Sequence, residues 1–280
     1  MAQRLGGRLE ALADDSRFVR LGAGVDASGR LDPERIRRAV AAIEDLNHRA
    51  ATLSNRPVLA VATSAVRDAS NGAELLDRIR ERTGIAVQVL TGDEEAALTF
   101  RGATLEIPEK RSTLVCDLGG GSAELISGHA KRITWQESLP LGAGRLTERF
   151  VRHDPPGREE VTALSDAIRS LLRPLPKEAW DLLLLTGGTS SHVARMVGKR
   201  GDTVEVTSRE LLRAQALVHT TPAAELVRMY GMTPERASVL AAGVTALVAV
   251  WEWASVPVIR ITKHGLREGV ILAQEDRELR

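Results

Sequence analysis

The chain has 280 residues, 43% hydrophobic and 27% charged, and its 38 basic and 37 acidic side chains leave a formal charge of +1. This is the composition of a globular protein with ample core, one large or two ordinary domains, and it provides no global field for nucleic acid or a membrane surface. The one cysteine excludes a disulfide framework and favours a cytoplasmic setting, the six histidines show no zinc-ligand spacing, and the opening MAQRLGGRLE lacks the apolar run of a signal peptide.

Residues 8–25 read as a strand pair with Leu9, Leu12, Phe18, Val19 and Leu21 as its apolar positions. Asp32 and Pro33 open a helix whose face repeats at Ile36, Val40, Ile43 and Leu46. Pro57–Thr63 (PVLAVAT) is a continuous apolar run, the pattern of a buried parallel strand. It delivers Ser64, Arg67 and Asp68 to a strand's C-terminal edge, where open α/β sheets bind ligands. Asn71 is expected to cap the next helix and Gly84 to stop it. Ile85–Leu90 is a further strand, and Gly92 and Asp93 turn into a helix carrying Glu94, Glu95, Leu98 and Phe100. The polar run Pro108–Arg111 marks a domain boundary, dividing 1–109 from 110–280.

Leu114–Ile126 (LVCDLGGGSAELI) is the most informative stretch. Leu114, Val115 and Cys116 bring a buried strand to Asp117, the glycines 119–121 permit positive φ and close approach to a ligand, Ser122 adds a hydroxyl, and Glu124 returns a second carboxylate. Exposed N–H groups in such a turn form an anion nest, and two carboxylates beside it suit a magnesium–phosphate site, because that ion takes oxygen ligands and bridges to phosphate. Cys116 reads as a small core residue. Ser112–Asp117, Glu124–Ser127 and Lys131–Ser138 form a strand meander, followed by helices near 142–152 and 158–172. Asp181–Thr186 is a second buried strand delivered into glycine, at Gly187, Gly188 and Thr189. Helices fill most of 208–254. Within them Ala237–Trp251 is apolar almost throughout but shorter than the ~20 residues that span a bilayer, and Thr233–Pro234 supply its start; it reads as a core helix. Val256–Ile261 is a last strand, and Lys263–Leu272 a closing turn and helix. Alternating strands and helices with glycine turns at strand ends predict a doubly wound α/β architecture.

The segments VRLGAGV (19–25), ATSAVRDASN (62–71), TGDEEAALTFRGA (91–103), VCDLGGGSAEL (115–125), SLPLGAGRLTERF (138–150), LLTGGTSSHVA (184–194) and GLREG (265–269) together resemble the exopolyphosphatase/guanosine pentaphosphate phosphohydrolase (Ppx/GppA) family. The resemblance implies two ribonuclease-H-like α/β domains of the actin/Hsp70/sugar-kinase superfamily around a cleft, the last helix packing back on the first domain. It implies a phosphohydrolase that removes terminal phosphate from inorganic polyphosphate or from guanosine pentaphosphate, with Mg²⁺ or Mn²⁺ as cofactor. By motif, Glu95 matches the catalytic base, Asp117 and Glu124 the metal-linked catalytic acids, and Gly119, Gly120, Gly121 and Ser122 the phosphate loop. Ser64 and Arg67 match the substrate channel, and Gly187, Gly188 and Thr189 a substrate-binding turn.

Simpler readings stand beside several of these. Acids at 93–95 also suit a helix N-terminus, Arg67 and Asp68 a surface ion pair, Gly187–Ser191 a plain helix cap, and Lys263, His264 and Arg267 a solvated helix start. Other functions on the same resemblance are a non-catalytic polyphosphate or alarmone binder and, less well matched, a sugar or acetate kinase. No nucleic-acid or membrane partner is expected; a homodimer is. Family members also begin with a D-x-G-S-N-[ST] phosphate loop that has no counterpart ahead of Val19. The expectation is a start upstream of Met1 or a shortened member, with a chain of low stability and weak hydrolysis. The additional C-terminal helical domains of longer members have no counterpart either, as in the short two-domain type.

Overall fold

Residues 2–5, 8–108, 110–129 and 131–278 are described by a computed structural model. The chain divides into one unit of Met1–Glu95 with Val270–Arg280 and another of Ala96–Gly269. Glu109 of the expected linker lies outside the described residues, and the rest of that run falls in the second unit.

The first unit opens with a hairpin of β1 (Ala2–Leu5) and β2 (Arg8–Ala11), followed by α1 (Val25–Ser28), α2 (Pro33–Leu53), β3 (Ala60–Ala62), α3 (Ser64–Arg67), α4 (Gly72–Thr83), β4 (Val87–Val89) and the start of α5 (Gly92–Ala103). Asp32 caps α2 by accepting the Arg35 N–H at 3.0 Å, with Pro33 in the first turn. Its Ile36, Ala39 and Val40 share a buried cluster with Leu75 and Ile79 of α4. Gly84 ends α4 at φ 71, where a side chain would be strained.

Three expectations are corrected here. The strand pair at 8–25 is a single strand, β2, whose partner is β1; Arg20 and Gly24 take positive φ, at 50° and 80°, and coil the later residues into turns. The run Pro57–Thr63 is a strand only over Ala60–Ala62 and is half-buried there, with Val58 42% and Leu59 45% exposed. Burial on both faces requires strands on both sides and covering layers, whereas among the described residues β3 pairs only with β4, in parallel, beside a largely apolar cavity of about 540 Å³ whose walls include Ile43, Leu46, Ala50, Val61 and Val87. Asn71 stands at the start of α4 without capping it. Its buried amide instead accepts the Leu31 N–H at 2.7 Å and donates to the Leu31 carbonyl at 3.1 Å. Asn71→Ala would leave both backbone groups of buried Leu31 unpaired, each worth about 1–3 kcal/mol. Urea unfolding should report a loss of roughly 2–4 kcal/mol.

The second unit contains the rest of α5, β5 (Thr113–Leu118), β6 (Ala123–His129), β7 (Arg132–Leu139), α6 (Ala143–Phe150), α7 (Arg158–Leu172), β8 (Leu182–Thr186), α8 (Gly188–Met196), β9 (Thr203–Val206), α9 (Ser208–Thr220), α10 (Ala223–Tyr230), α11 (Pro234–Ala237), α12 (Leu240–Ala254), β10 (Ile259–Thr262) and the start of α13 (Leu266–Glu278). Its sheet runs β7-β6-β5-β8-β10-β9. The central strands β5, β8 and β10 are parallel, and β6, β7 and β9 antiparallel to their neighbours. Alternation sorts the two faces. Leu114, Cys116, Leu183 and Leu185 join the core that contains α12, while Val115, Ile126, Leu182 and Leu184 pack with Ala96, Phe100 and Ala103 of α5.

Helix α12 is buried nearly all round, as its sequence predicts, and among the described residues no helix is long and apolar enough to cross a membrane. Its start differs from the expectation. Thr233 and Pro234 begin the single turn α11, and the chain restarts at Leu240.

Candidate active site

The glycine turn after β5 brings the two acids together by register. Leu118 pairs with Ala123 and Asp117 with Glu124, so the carboxylates stand directly opposite each other on one face. Like charges in that arrangement destabilise a sheet, and Glu124 is only 6% exposed. The same level continues to Ser138 on β7, whose hydroxyl donates to Glu124 Oε1 at 3.0 Å, and to Thr186 on β8, cross-strand partner of Asp117. A cation between the acids turns their repulsion into attraction. Among the described residues no cluster of three or more His, Cys, Asp or Glu side chains could hold a metal. A pair of carboxylates is the donor set that would suit an ion such as Mg²⁺, which takes most of its ligands from water and phosphate. The Cys116 thiol behind them is buried and unpaired; burial first, and the two carboxylates second, raise its pKa and keep it an inert core group.

The turn is held in an unexpected way. None of Gly119, Gly120 and Gly121 takes a positive φ, so a left-handed nest does not form there. The first N–H groups of α6 fix the loop instead: Ala143 donates to the Gly119 carbonyl at 3.0 Å, and Gly144 and Arg145 donate to the Gly120 carbonyl at 2.9 and 3.1 Å. A trans peptide points its N–H opposite its C=O. With both carbonyls committed to α6, the N–H groups of Gly120 and Gly121 therefore face away from it, where an anion can accept them. The glycine requirement moves to Gly142, where a Cβ would lie 2.3–2.4 Å from the backbone of Gly120 and Gly121.

The second glycine turn lies against the first. A Cβ at Gly187 would meet the Leu118 carbonyl at 2.5 Å and Asp117 Oδ1 at 3.1 Å. From there α8 starts, and its first-turn N–H groups have no helical acceptor and carry the positive end of the dipole. The Arg236 guanidinium sits over Gly188, 2.2 Å from where a Cβ would be, and burial lowers its pKa. A phosphate at this turn would offset the desolvation of the guanidinium. Arg236→Ala is expected to weaken binding of tripolyphosphate about ten- to a hundredfold in calorimetry, the worth of a charge-assisted hydrogen bond.

In the first unit, Thr91 and Glu94 form a reciprocal cap on α5: Glu94 N–H donates to Thr91 Oγ1 at 3.2 Å, and Glu94 Oε2 accepts the Thr91 N–H at 2.9 Å. Capping thus belongs to Glu94, and Glu95 is left for other work. Glu95 is 7% exposed and accepts a hydrogen bond from Arg67 Nη1 at 3.0 Å, while the same nitrogen donates to the Leu90 carbonyl at 2.8 Å. Burial is the largest influence on the Glu95 carboxyl and raises its pKa; the bonds from Arg67 and Thr63 lower it only in part. A buried carboxyl held by an arginine suits proton acceptance from a water.

The family model described as the Ppx/GppA phosphatase family matches residues 1–278. The chain belongs to this family. It is 31% identical over 285 aligned residues to exopolyphosphatase 1 of Mycobacterium tuberculosis, an alignment spanning 98% of this chain and 83% of that protein. An exopolyphosphatase structure from Cytophaga hutchinsonii superposes with a TM-score of 0.89 at 27% identity, over 98% of this chain and 93% of that one. The Aquifex aeolicus member of the Ppx/GppA family gives 0.81 at 27%, over 99% and 93%. The α/β fold is the one these Ppx/GppA and exopolyphosphatase structures share.

Within this Ppx/GppA chain the expected residues fall into two groups. Glu95 and Arg67 are bonded to each other, with Ser64 opening the helical turn α3 that Arg67 closes. Asp117, Glu124, Gly119–Ser122 and Gly187–Thr189 lie together at the end of β5 and β8. The basic run near the C-terminus is a helix start: Lys263 pairs with Asp202 at 3.1 Å, His264 is buried, and Glu268 caps the Gly265 N–H at 2.7 Å. Sequence reasoning passed over Arg236, Ser138, Thr63 and Gly142. Ser138 and Gly142 lie in the segment SLPLGAGRLTERF, where the glycine beside a helix start was the available signal.

Proposed function

We propose that this chain hydrolyses the terminal phosphoanhydride bond of inorganic polyphosphate and releases orthophosphate. The observation that carries the reading is the opposed pair Asp117–Glu124 beside a loop whose carbonyls are consumed by α6. Phosphoryl transfer asks a protein for position, charge neutralisation and an oriented water rather than covalent chemistry. Mg²⁺, or Mn²⁺ in its place, would be held by Asp117 and Glu124 and would supply neutralisation of phosphate oxygens when bound.

The chain's own groups divide the remaining work. The N–H groups of Gly120 and Gly121, the Ser122 hydroxyl, and the first turn of α8 with Arg236 bind phosphate oxygens. Arg67 holds Glu95 and offers its remaining donors to the substrate. Glu95 orients the attacking water and accepts its proton. In this reading the setting is the cytoplasm, and similarity to exopolyphosphatases of Mycobacterium and Cytophaga supports polyphosphate as substrate. Orthophosphate release from polyphosphate, guanosine pentaphosphate and ATP, assayed side by side with Mg²⁺, tests it. Polyphosphate should be turned over fastest. Preference for the pentaphosphate would move the assignment within the same chemistry, and binding of polyphosphate without release from any substrate would make the chain a binder.

A further inference from the structure

Helix α12 carries a glycine, Gly243, in the middle of the core and away from either glycine turn in sequence. A Cβ at that position would stand 2.7 Å from Thr189 Oγ1, 2.9 Å from Thr189 Cγ2 and 3.0 Å from the Ala143 Cβ. These neighbours belong to different segments, one beside each glycine turn. Thr189 is in the first turn of α8, and Ala143 is the first residue of α6, whose N–H holds the Gly119 carbonyl. Each segment is also locked to its surroundings by backbone contact, Gly142 against Gly120 and Gly121, and Gly187 against Leu118. Close-packed interiors transmit such crowding because they have no slack to absorb a methyl group.

We infer that Gly243 is a positioning residue that sets the spacing between the 119–122 loop and the start of α8, and with it the fit of successive phosphates along a chain. The inference rests on the reading of these segments as phosphate-binding. Its signature differs from simple destabilisation: a wedge at Gly243 changes the distance between two sub-sites, so it penalises a ligand that spans both and spares a ligand that occupies one. Misplacement well under 1 Å is enough for a large effect on a multidentate ligand.

The test is calorimetric titration of tripolyphosphate and of orthophosphate into the wild type, Gly243→Ala, Ala143→Val and Val248→Ala. Ala143→Val crowds the same contact from the α6 side and carries the test if Gly243→Ala does not fold. Val248→Ala loosens the same buried helix elsewhere. The expected result is a loss of about tenfold or more in tripolyphosphate affinity for the two crowding variants, with orthophosphate affinity close to wild type and with Val248→Ala lowering Tm but leaving the ratio of the two affinities unchanged. A crowding variant that melts earlier yet keeps the wild-type ratio overturns the inference. A wild type that binds neither anion overturns the phosphate-site reading itself, and this inference with it.

Discussion

Glu95→Gln is expected to lower turnover of polyphosphate by about 10²–10⁴, the usual cost of removing a general base, while leaving polyphosphate affinity nearly intact. The amide keeps the shape of the carboxylate and an acceptor for Arg67 but cannot take a proton. The pH profile sharpens the prediction. Glu95 must be ionised to act, and burial raises its pKa from the ordinary 4.5. The acid limb of the rate should therefore lie higher than an unburied glutamate would place it. Arg67→Ala removes the main influence lowering that pKa and should move the limb further up. The stability linkage has the matching sign. Between 4.5 and the raised folded value the native state holds more protons than the unfolded one, so this residue's contribution diminishes as pH rises through that window. A Glu95→Gln protein with wild-type turnover would remove Glu95 from the mechanism.

Asp117→Ala is expected to cost about 10²–10³ in turnover, in the range of losing one preorganised electrostatic partner, and to abolish the response to Mg²⁺. The opposed carboxylates add a signature that does not depend on turnover. With no cation present, deleting one member of a like-charged cross-strand pair relieves repulsion, so the apo variant should melt no earlier than the wild type. The wild type should gain Tm on adding Mg²⁺ through binding linkage, and Asp117→Ala and Glu124→Ala should not. A variant that still gains Tm as the wild type does would place the ion elsewhere.

How far the sequence reaches is decided by local geometry. The Asp117–Glu124 pair can be counted directly from the glycine turn, because the hairpin closes with Gly119 N–H on the Ser122 carbonyl and Leu118 opposite Ala123. Ser138 could not be found by the same counting. From the β6–β7 turn the register runs His129 to Arg132 and Gly128 to Ile133, which would set Glu137 opposite Glu124. A bulge between Ser127 and Gly128 slips the pairing by one and brings Ser138 there instead. Arg236 reaches the second turn only because the fold brings its side chain over Gly188, and no periodicity announces that. The misread strands in the first unit have a related cause. PVLAVAT has the composition of a central strand, but burial is a property of the neighbours a strand acquires, and among the described residues β3 has one.

The most direct measurement of the central claim is ³¹P nuclear magnetic resonance of a long-chain polyphosphate incubated with the wild-type protein and Mg²⁺, since orthophosphate, terminal and internal phosphates resolve as separate signals. The account predicts growth of orthophosphate at the expense of internal phosphate, with the number of chain ends constant until the chains run short, and neither change with Glu95→Gln. Chain ends multiplying without orthophosphate, or a spectrum that stays unchanged while the protein binds polyphosphate, would contradict it.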